Sequence, residues 1–316
     1  MNQLELPGLR GQNTLGFLAA LGVLVLANEA GLSPQLCWTD DINQSALLTS
    51  EATYQTLKEA LSDQLARIAG GALLTGKTGK GQTDVKLFPN NQRESELRKW
   101  TYELRASGTS LERRLLGALV AEGAVDGKGA AKPSHLHFAA GQQQFLDIAR
   151  DVLAAVQVDP GRLDEALLGP WRFDSDVKNF SWASGTERIF AVRGFKPSGE
   201  KRLGVPGADA LAFVGLSMFP VVEIAGSLRT TGCDKGWKTS AFSWSLWGEP
   251  LSIRVVQSVL AMAPIRGADA KQRGITDVLK APIRRTDQGG YGSFGAPQMN
   301  LLPPADRSVP LKSRTL

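Results

Sequence analysis

The sequence predicts an α+β protein, helix-rich in its first half and strand-rich in its second. Apolar residues recur with the helical period at Tyr54, Leu57, Leu61, Leu65 and Ile68, and again at Phe145, Ile148, Ala149 and Val152. Beyond Pro170 the pattern shifts to alternation, as in residues 239–247. Helices and strands are grouped rather than regularly interleaved, which separates α+β from α/β. The chain has 316 residues, 42% hydrophobic and 21% charged, which is ample material for a packed core.

Residues 4–9 read as a short opening strand ended at Pro7-Gly8. Asn13 or Thr14 caps a helix over residues 15–30, and Gly31 stops it. That helix is apolar on most faces and belongs inside the fold. Its apolar run, Leu15 to Ala27, is 13 residues long, short of the roughly 20 that cross a bilayer. It also lacks the basic flank and small-residue site of a secretory signal. A strand follows at 35–39, then a helix over 51–69 capped by Ser50. Residues 70–82 form a loop rich in glycine and lysine. Helices are expected at 94–104, 110–122 and 142–156, with a strand at 136–138. Asp159-Pro160 opens a further helix through Leu167. Residues 171–182, 187–195, part of 210–222, 227–231 and 239–247 read as strands, and 251–260 as a helix. From Gly289 onward the chemistry is that of loops. The chain thus divides into a helix-rich region 1–169, a strand-rich region 170–288 packed on it, and an irregular basic tail 289–316.

The net positive charge sits at one end. From Arg266 to Leu316 there are nine Lys/Arg against four Asp, while the remainder of the chain is neutral. A neutral body with a basic end points to a polyanion, because each neutralised phosphate releases condensed counterions. The alternative is a solvated tail. The only cysteines, Cys37 and Cys233, are far apart. That excludes a disulfide framework or a cysteine zinc site and fits a reduced, cytoplasmic protein.

Gly71-Ala-Leu-Leu-Thr-Gly76-Lys77-Thr78 matches the phosphate-loop pattern in every fixed position. Its mechanism needs a strand before and a helix after, and the sequence offers neither. The alternatives are a surface loop, or lysines (Lys77, Lys80, Lys86) contacting a nucleic-acid backbone. His135 and His137 would share one face of a strand, without a third ligand at metal spacing. No nucleophile elbow is present, so neither a catalytic constellation nor a cofactor or metal is expected. Gln142 and Gln143 begin a predicted helix and could read a base edge, or be solvent-exposed filler. Seven tryptophans are many for this length. Most suit core packing, but Trp237 beside Lys238 could stack on a splayed base. Arg284-Arg285 precede a glycine-rich turn holding Tyr291, a composition suited to a phosphate clamp with a stacking platform or to a basic linker.

Several segments together resemble the small subunits encoded with type I-G (formerly I-U) CRISPR–Cas systems. They are 6–22 (LPGLRGQNTLGFLAALG), 137–146 (HFAAGQQQFL), 208–220 (ADALAFVGLSMFP), 230–233 (TTGC) leading to 242–247 (FSWSLW), and 289–295 (GGYGSFG). The resemblance implies a small large-subunit-like, non-catalytic component of an RNA-guided effector complex. Such proteins sit at the end of a guide-RNA filament, pack on its subunits, inspect the duplex motif flanking the target and help open the strands. A separate helicase-nuclease cuts. The chain is short for a complete large subunit and would supply part of that role. On this reading Lys77 and Lys80 approach phosphates, Arg284 and Arg285 hold backbone, Tyr291 stacks, and Gln142 and Gln143 meet base edges. The partners would be guide RNA or target DNA and other effector subunits, with no membrane. The rivals are a nucleotide-binding protein using the 71–78 loop and a structural adaptor whose basic end meets an acidic protein.

Overall fold

In the computed structural model the Asn13 side chain accepts hydrogen bonds from the Leu15 and Gly16 amides and so starts the helix around which the rest is built. The structure describes residues 2–78, 81–82, 84–85, 93–127, 131–140, 143–184, 203–262, 268–286 and 291–299. In order, β1 (Asn2–Arg10), α1 (Thr14–Glu29), β2 (Gln35–Trp38) and β3 (Ser45–Ser50) come first. A largely helical stretch follows: α2 (Tyr54–Ala69), α3 (Ala72–Thr75), the short pair β4 (Lys77–Thr78) and β5 (Gly81–Gln82), α4 (Arg93–Ser107), α5 (Ser110–Leu119), α6 (Phe145–Val158), α7 (Gly161–Leu168) and α8 (Pro206–Gly215). The chain continues through β6 (Val221–Ile224), β7 (Ser227–Thr230), β8 (Ser240–Trp247), β9 (Leu251–Ser252), α9 (Ile253–Ala261), α10 (Ala268–Gln272), β10 (Ile275–Arg285), β11 (Gly292–Phe294) and β12 (Gln298–Met299). The fold is α+β, with helices and strands in both halves.

Two antiparallel sheets position the elements. One has the order β1-β3-β2-β9, so a strand from the second half completes a sheet from the first. The other is centred on β10, which pairs with β8 along one edge and with β11 and β12 on the other. β6 and β7 form a separate hairpin. Several boundaries differ from the sequence reading. β1 runs through Pro7-Gly8 because the register slips between Leu6 and Arg10, and a bulge tolerates a residue without an N–H. α2 starts at Tyr54, capped by Thr53, whose hydroxyl accepts from the Thr56 amide. Residues 136–138 form no strand: a turn over 134–137 is closed by the His137 amide on the Ser134 carbonyl. Residues 171–182 form no extended strand, only the isolated bridge Ser175–Gly204. The segment at 210–222, expected in part as strand, is helical over α8, with Pro206 at its first position, and becomes extended only at Val221–Val222, where β6 begins. The expected strand at 187–195 lies outside the described residues.

α1 is buried on all sides from Thr14 to Ala27. Among the described residues no helix is long and apolar enough to cross a membrane. α1 packs most extensively on α8, whose ten residues are all buried. The two helices meet backbone to backbone. A Cβ on Gly22 would fall on the Leu211 carbonyl oxygen, and a Cβ on Gly215 on the Leu18 carbonyl oxygen. Neither obstacle is a side-chain end that can swing away, so a methyl group there must push the helices apart. Gly22→Ala and Gly215→Ala are each expected to lower unfolding free energy by about 3 kcal/mol in urea titration. Gly117→Ala in α5, where an added Cβ meets nothing within 4 Å, is expected to stabilise by about 0.5–1 kcal/mol.

Asp209 lies in α8, 1% exposed, with Oδ1 accepting from the Phe180 amide at 3.2 Å. Burial pushes its carboxyl up to about 7, against the lowering effect of that hydrogen bond. In the unfolded chain it titrates near 3.9. Between about pH 4 and 7 the folded state therefore keeps a proton that the unfolded state releases, and stability falls as pH rises through that window. Asp209→Asn keeps the Oδ1 acceptor and removes the titration. The stability of wild type relative to this variant is expected to drop by a few kcal/mol between about pH 4 and pH 8, read from denaturant unfolding at each pH.

Candidate nucleic-acid interface

The loop 231–239 joins β7 to β8 and is folded back on β8. The Cys233 amide bonds the Thr230 carbonyl at 3.0 Å, and the Asp234 amide bonds the Ala241 carbonyl at 2.9 Å. Gly232 and Gly236 take positive φ, 77° and 107°, which glycine adopts without strain. His135 latches this loop from below. The Thr230 hydroxyl oxygen accepts from the His135 amide at 2.9 Å and lies 3.0 Å from Nδ1, while Nε2 is 2.8 Å from the Gly236 carbonyl. A carbonyl only accepts, so the ring carries its proton on Nε2 and Nδ1 accepts from Thr230. Burial, then the charges of Arg285 and Arg229, hold the His135 pKa below its ordinary value, against the effect of the Gly236 bond. The ring is neutral at pH 7.

Arg285 ends β10 and supports the same loop. Its Nη1 donates to the His137 carbonyl at 3.1 Å and its Nη2 to the His135 carbonyl at 2.8 Å. The guanidinium carbon stands 3.6 Å from the Trp237 ring centroid and 5.4 Å from that of Phe138. Burial lowers its pKa to about 10, which leaves it charged at neutral pH. Trp237, the indole it supports, is 39% exposed, whereas Trp38, Trp100, Trp182, Trp244 and Trp247 are buried. Beside it runs an open groove of about 500 Å³ lined by Asp234, Lys238, Ser240, Pro282, Arg284 and Arg285 among others. Among the described residues its one lining carboxylate, Asp234, is met by Lys280, Nζ to Oδ2 2.8 Å. The described lining thus carries more cationic than anionic side chains.

The structure sorts the residues singled out from the sequence. Arg284 and Arg285 both reach this groove, but with different jobs. Arg284 is exposed. Arg285 is corrected from an outward phosphate clamp to an inward support, because its donors are aimed at two main-chain carbonyls. Tyr291 is half-buried at the β10–β11 turn, its carbonyl accepting from the Thr286 amide at 3.0 Å. The exposed aromatic beside this groove is Trp237, which the sequence marks only by its neighbour Lys238. Gln143 is exposed but precedes α6, which begins at Phe145, so it does not open the helix. Gln142, Lys80 and Lys86 lie outside the described residues. So does the side chain of Lys77, whose backbone is in β4.

The histidines do not form a pair on one strand face. His135 latches the loop, and His137 stacks on Phe145 with ring centroids 4.7 Å apart. Among the described residues no three His, Cys, Asp or Glu side chains group as a metal site. The 71–78 match is not arranged as strand, loop and helix. Gly71 precedes the four-residue α3, and β4 follows it. The Glu112 carboxylate accepts from the Leu73 amide at 2.9 Å and from the Thr109 amide at 2.8 Å. A carboxylate thus stands where a phosphate-binding loop would present its amides. No family model matches the chain, and no curated protein matches it.

The double support of the 231–239 loop is testable. Arg285→Ala and Arg285→Lys are both expected to speed amide exchange at Cys233 and Asp234, since lysine cannot reproduce a planar fork that bonds two carbonyls and stacks. The global loss is expected at about 2–3 kcal/mol. Hydrogen-exchange mass spectrometry with denaturant unfolding reads both.

Proposed function

We propose that the chain is a non-catalytic, nucleic-acid-binding subunit of a CRISPR RNA-guided effector complex of the Cascade type. It would act in the cytoplasm with other effector subunits on guide RNA or target DNA and contribute to recognition of the flanking duplex motif. The observation that carries this reading is a groove lined by Lys238, Arg284 and Arg285, whose Arg285 lies against the ring of the half-exposed Trp237. Cations that neutralise phosphates combined with an aromatic platform suit nucleic acid better than a protein carboxylate surface, which gives an indole nothing to stack on.

The placement of the segments that resemble type I-G small subunits adds support. Segment 6–22 contains α1, which packs on α8 in segment 208–220. Phe138 meets Phe294 edge-on at 4.8 Å, and the Gly292 amide donates to the Phe138 carbonyl at 3.1 Å. The Ser243 amide donates to the Gly232 carbonyl at 2.8 Å, and Trp244 Nε1 to the Gly11 carbonyl at 2.9 Å. A likeness scattered along the chain is thus one between parts that pack together.

The test is binding of labelled DNA and RNA across a salt series. Arg284→Ala is expected to weaken binding and to flatten the slope of log K against log salt by about one unit. Unchanged affinity and slope would reject the groove as the contact. Incorporation of a variant that binds no nucleic acid into the effector complex would favour the adaptor instead.

A further inference from the structure

Trp237 sits between two exposed lysines, Lys235 and Lys238, on a loop whose path is fixed from two directions. Arg285 lies against the ring at 3.6 Å, and the His135 ring flanks it with centroids 6.0 Å apart, tilted at 56°. Nε2 of that same histidine is 2.8 Å from the carbonyl of Gly236, the residue just before the tryptophan. An indole serving only to fill space would be covered, as Trp182, Trp244 and Trp247 are, each also donating its N–H to a main-chain carbonyl. Trp237 is instead held rigid while 39% of it stays in solvent. A rigid, exposed aromatic loses little conformational entropy when a flat ligand lands on it.

Resting on the nucleic-acid reading above, we infer that Trp237 is a base-stacking residue and that the groove takes single-stranded nucleic acid. One unpaired base lies on the indole, and its flanking phosphates meet Lys238 and Arg284. A base inside a duplex is already stacked on both faces and cannot reach the ring without being flipped out. Among the described residues the open groove is lined by β8, β10 and the 231–239 loop, with no helix among them to enter a duplex groove and read base edges. Arg285 is then a positioning residue. It lies against one face of the platform, while its neighbour Arg284 meets the strand.

The experiment is fluorescence anisotropy with the full chain and three labelled probes of equal length, about twelve nucleotides. They are a single-stranded oligothymidylate, an abasic strand with the same phosphates, and a blunt duplex. Wild type is expected to bind the oligothymidylate roughly tenfold or more tighter than the abasic strand. Trp237→Ala is expected to remove that preference by weakening oligothymidylate binding alone, and Trp237→Phe to keep most of it. Equal binding of the thymidylate and abasic strands by wild type, an equal loss on both in the alanine variant, or a preference for the duplex would overturn the inference. Wild type alone supplies the base-against-abasic comparison, so the outcome does not depend on a variant folding. Salt-dependent binding of the abasic strand would sustain the broader nucleic-acid reading even where the base preference fails. Absence of salt-dependent binding to all three probes would overturn both.

Discussion

The backbone contact between α1 and α8 is the constraint on which the other elements depend. With Gly22 against one carbonyl and Gly215 against another, the helices leave no space for adjustment along or between their axes. α8 passes straight into a 3₁₀ turn at Leu216–Met218, and Phe219 behind it packs edge-on against Phe242 of β8 at 5.3 Å. Phe17 of α1 reaches the same group, lying 5.7 Å from Trp38 and 5.6 Å from Trp244. Two buried indoles fasten the halves with directed bonds. Trp244 donates to Gly11, and Trp247 donates to the Leu36 carbonyl at 2.6 Å. The sheet that carries the candidate interface is therefore tied to the central helix by both shape and hydrogen bonding.

Adjacent arginines at the end of β10 do opposite work because a strand alternates its side chains between two faces. Ile283 and Arg285 point inward, and Arg284 points out. Burying a charge is expensive unless its donors are met. For Arg285, Nη1 and Nη2 are met by carbonyls from the 134–137 turn, and the guanidinium lies against the negative face of an indole. The same bonds that satisfy the buried cation fix the height of the 231–239 loop, so satisfaction of the core and preorganisation of the surface are one set of contacts.

Much of the fold was legible in the sequence, and the failures have identifiable causes. α1, α2, α5, α6, α7, β7 and β8 follow from periodicity and caps, within a few residues at their ends. α8 was misread in part as strand because a helix buried on every side shows no polar stripe. β10 has no counterpart in the sequence reading: Leu279, Ala281 and Ile283 alternate inward, but Lys280, Pro282 and Arg284 mark the other face with residues that resemble a linker. Tyr291 drew attention through its glycine-rich setting. Trp237 is the more exposed aromatic because it depends on His135 and Arg285, which lie far from it in the chain. Sequence spacing carries no trace of a latch between such distant residues. The phosphate-loop match fails for a similar reason, since the carboxylate that takes its Leu73 amide comes from Glu112 in a later helix.

The excess of basic residues after Arg266 does not by itself account for the charge of the groove. Arg266, Arg307, Lys312 and Arg314 lie outside the described residues. Of the rest, Lys280 is paired with Asp234, and Arg285 is turned inward. The groove instead draws Lys238 from the part of the chain whose charges sum to zero. A bound phosphate responds to the charges within about a Debye length, roughly 8–10 Å, and not to the total for a stretch of sequence. Among the described residues, what gathers these cations is the pairing of β8 with β10, which sets Lys238 and Arg284 on one groove while Lys280 pairs with its lining carboxylate, Asp234. The field is a product of strand register, so a shift of β8 against β10 would disperse it without changing the net charge of the chain.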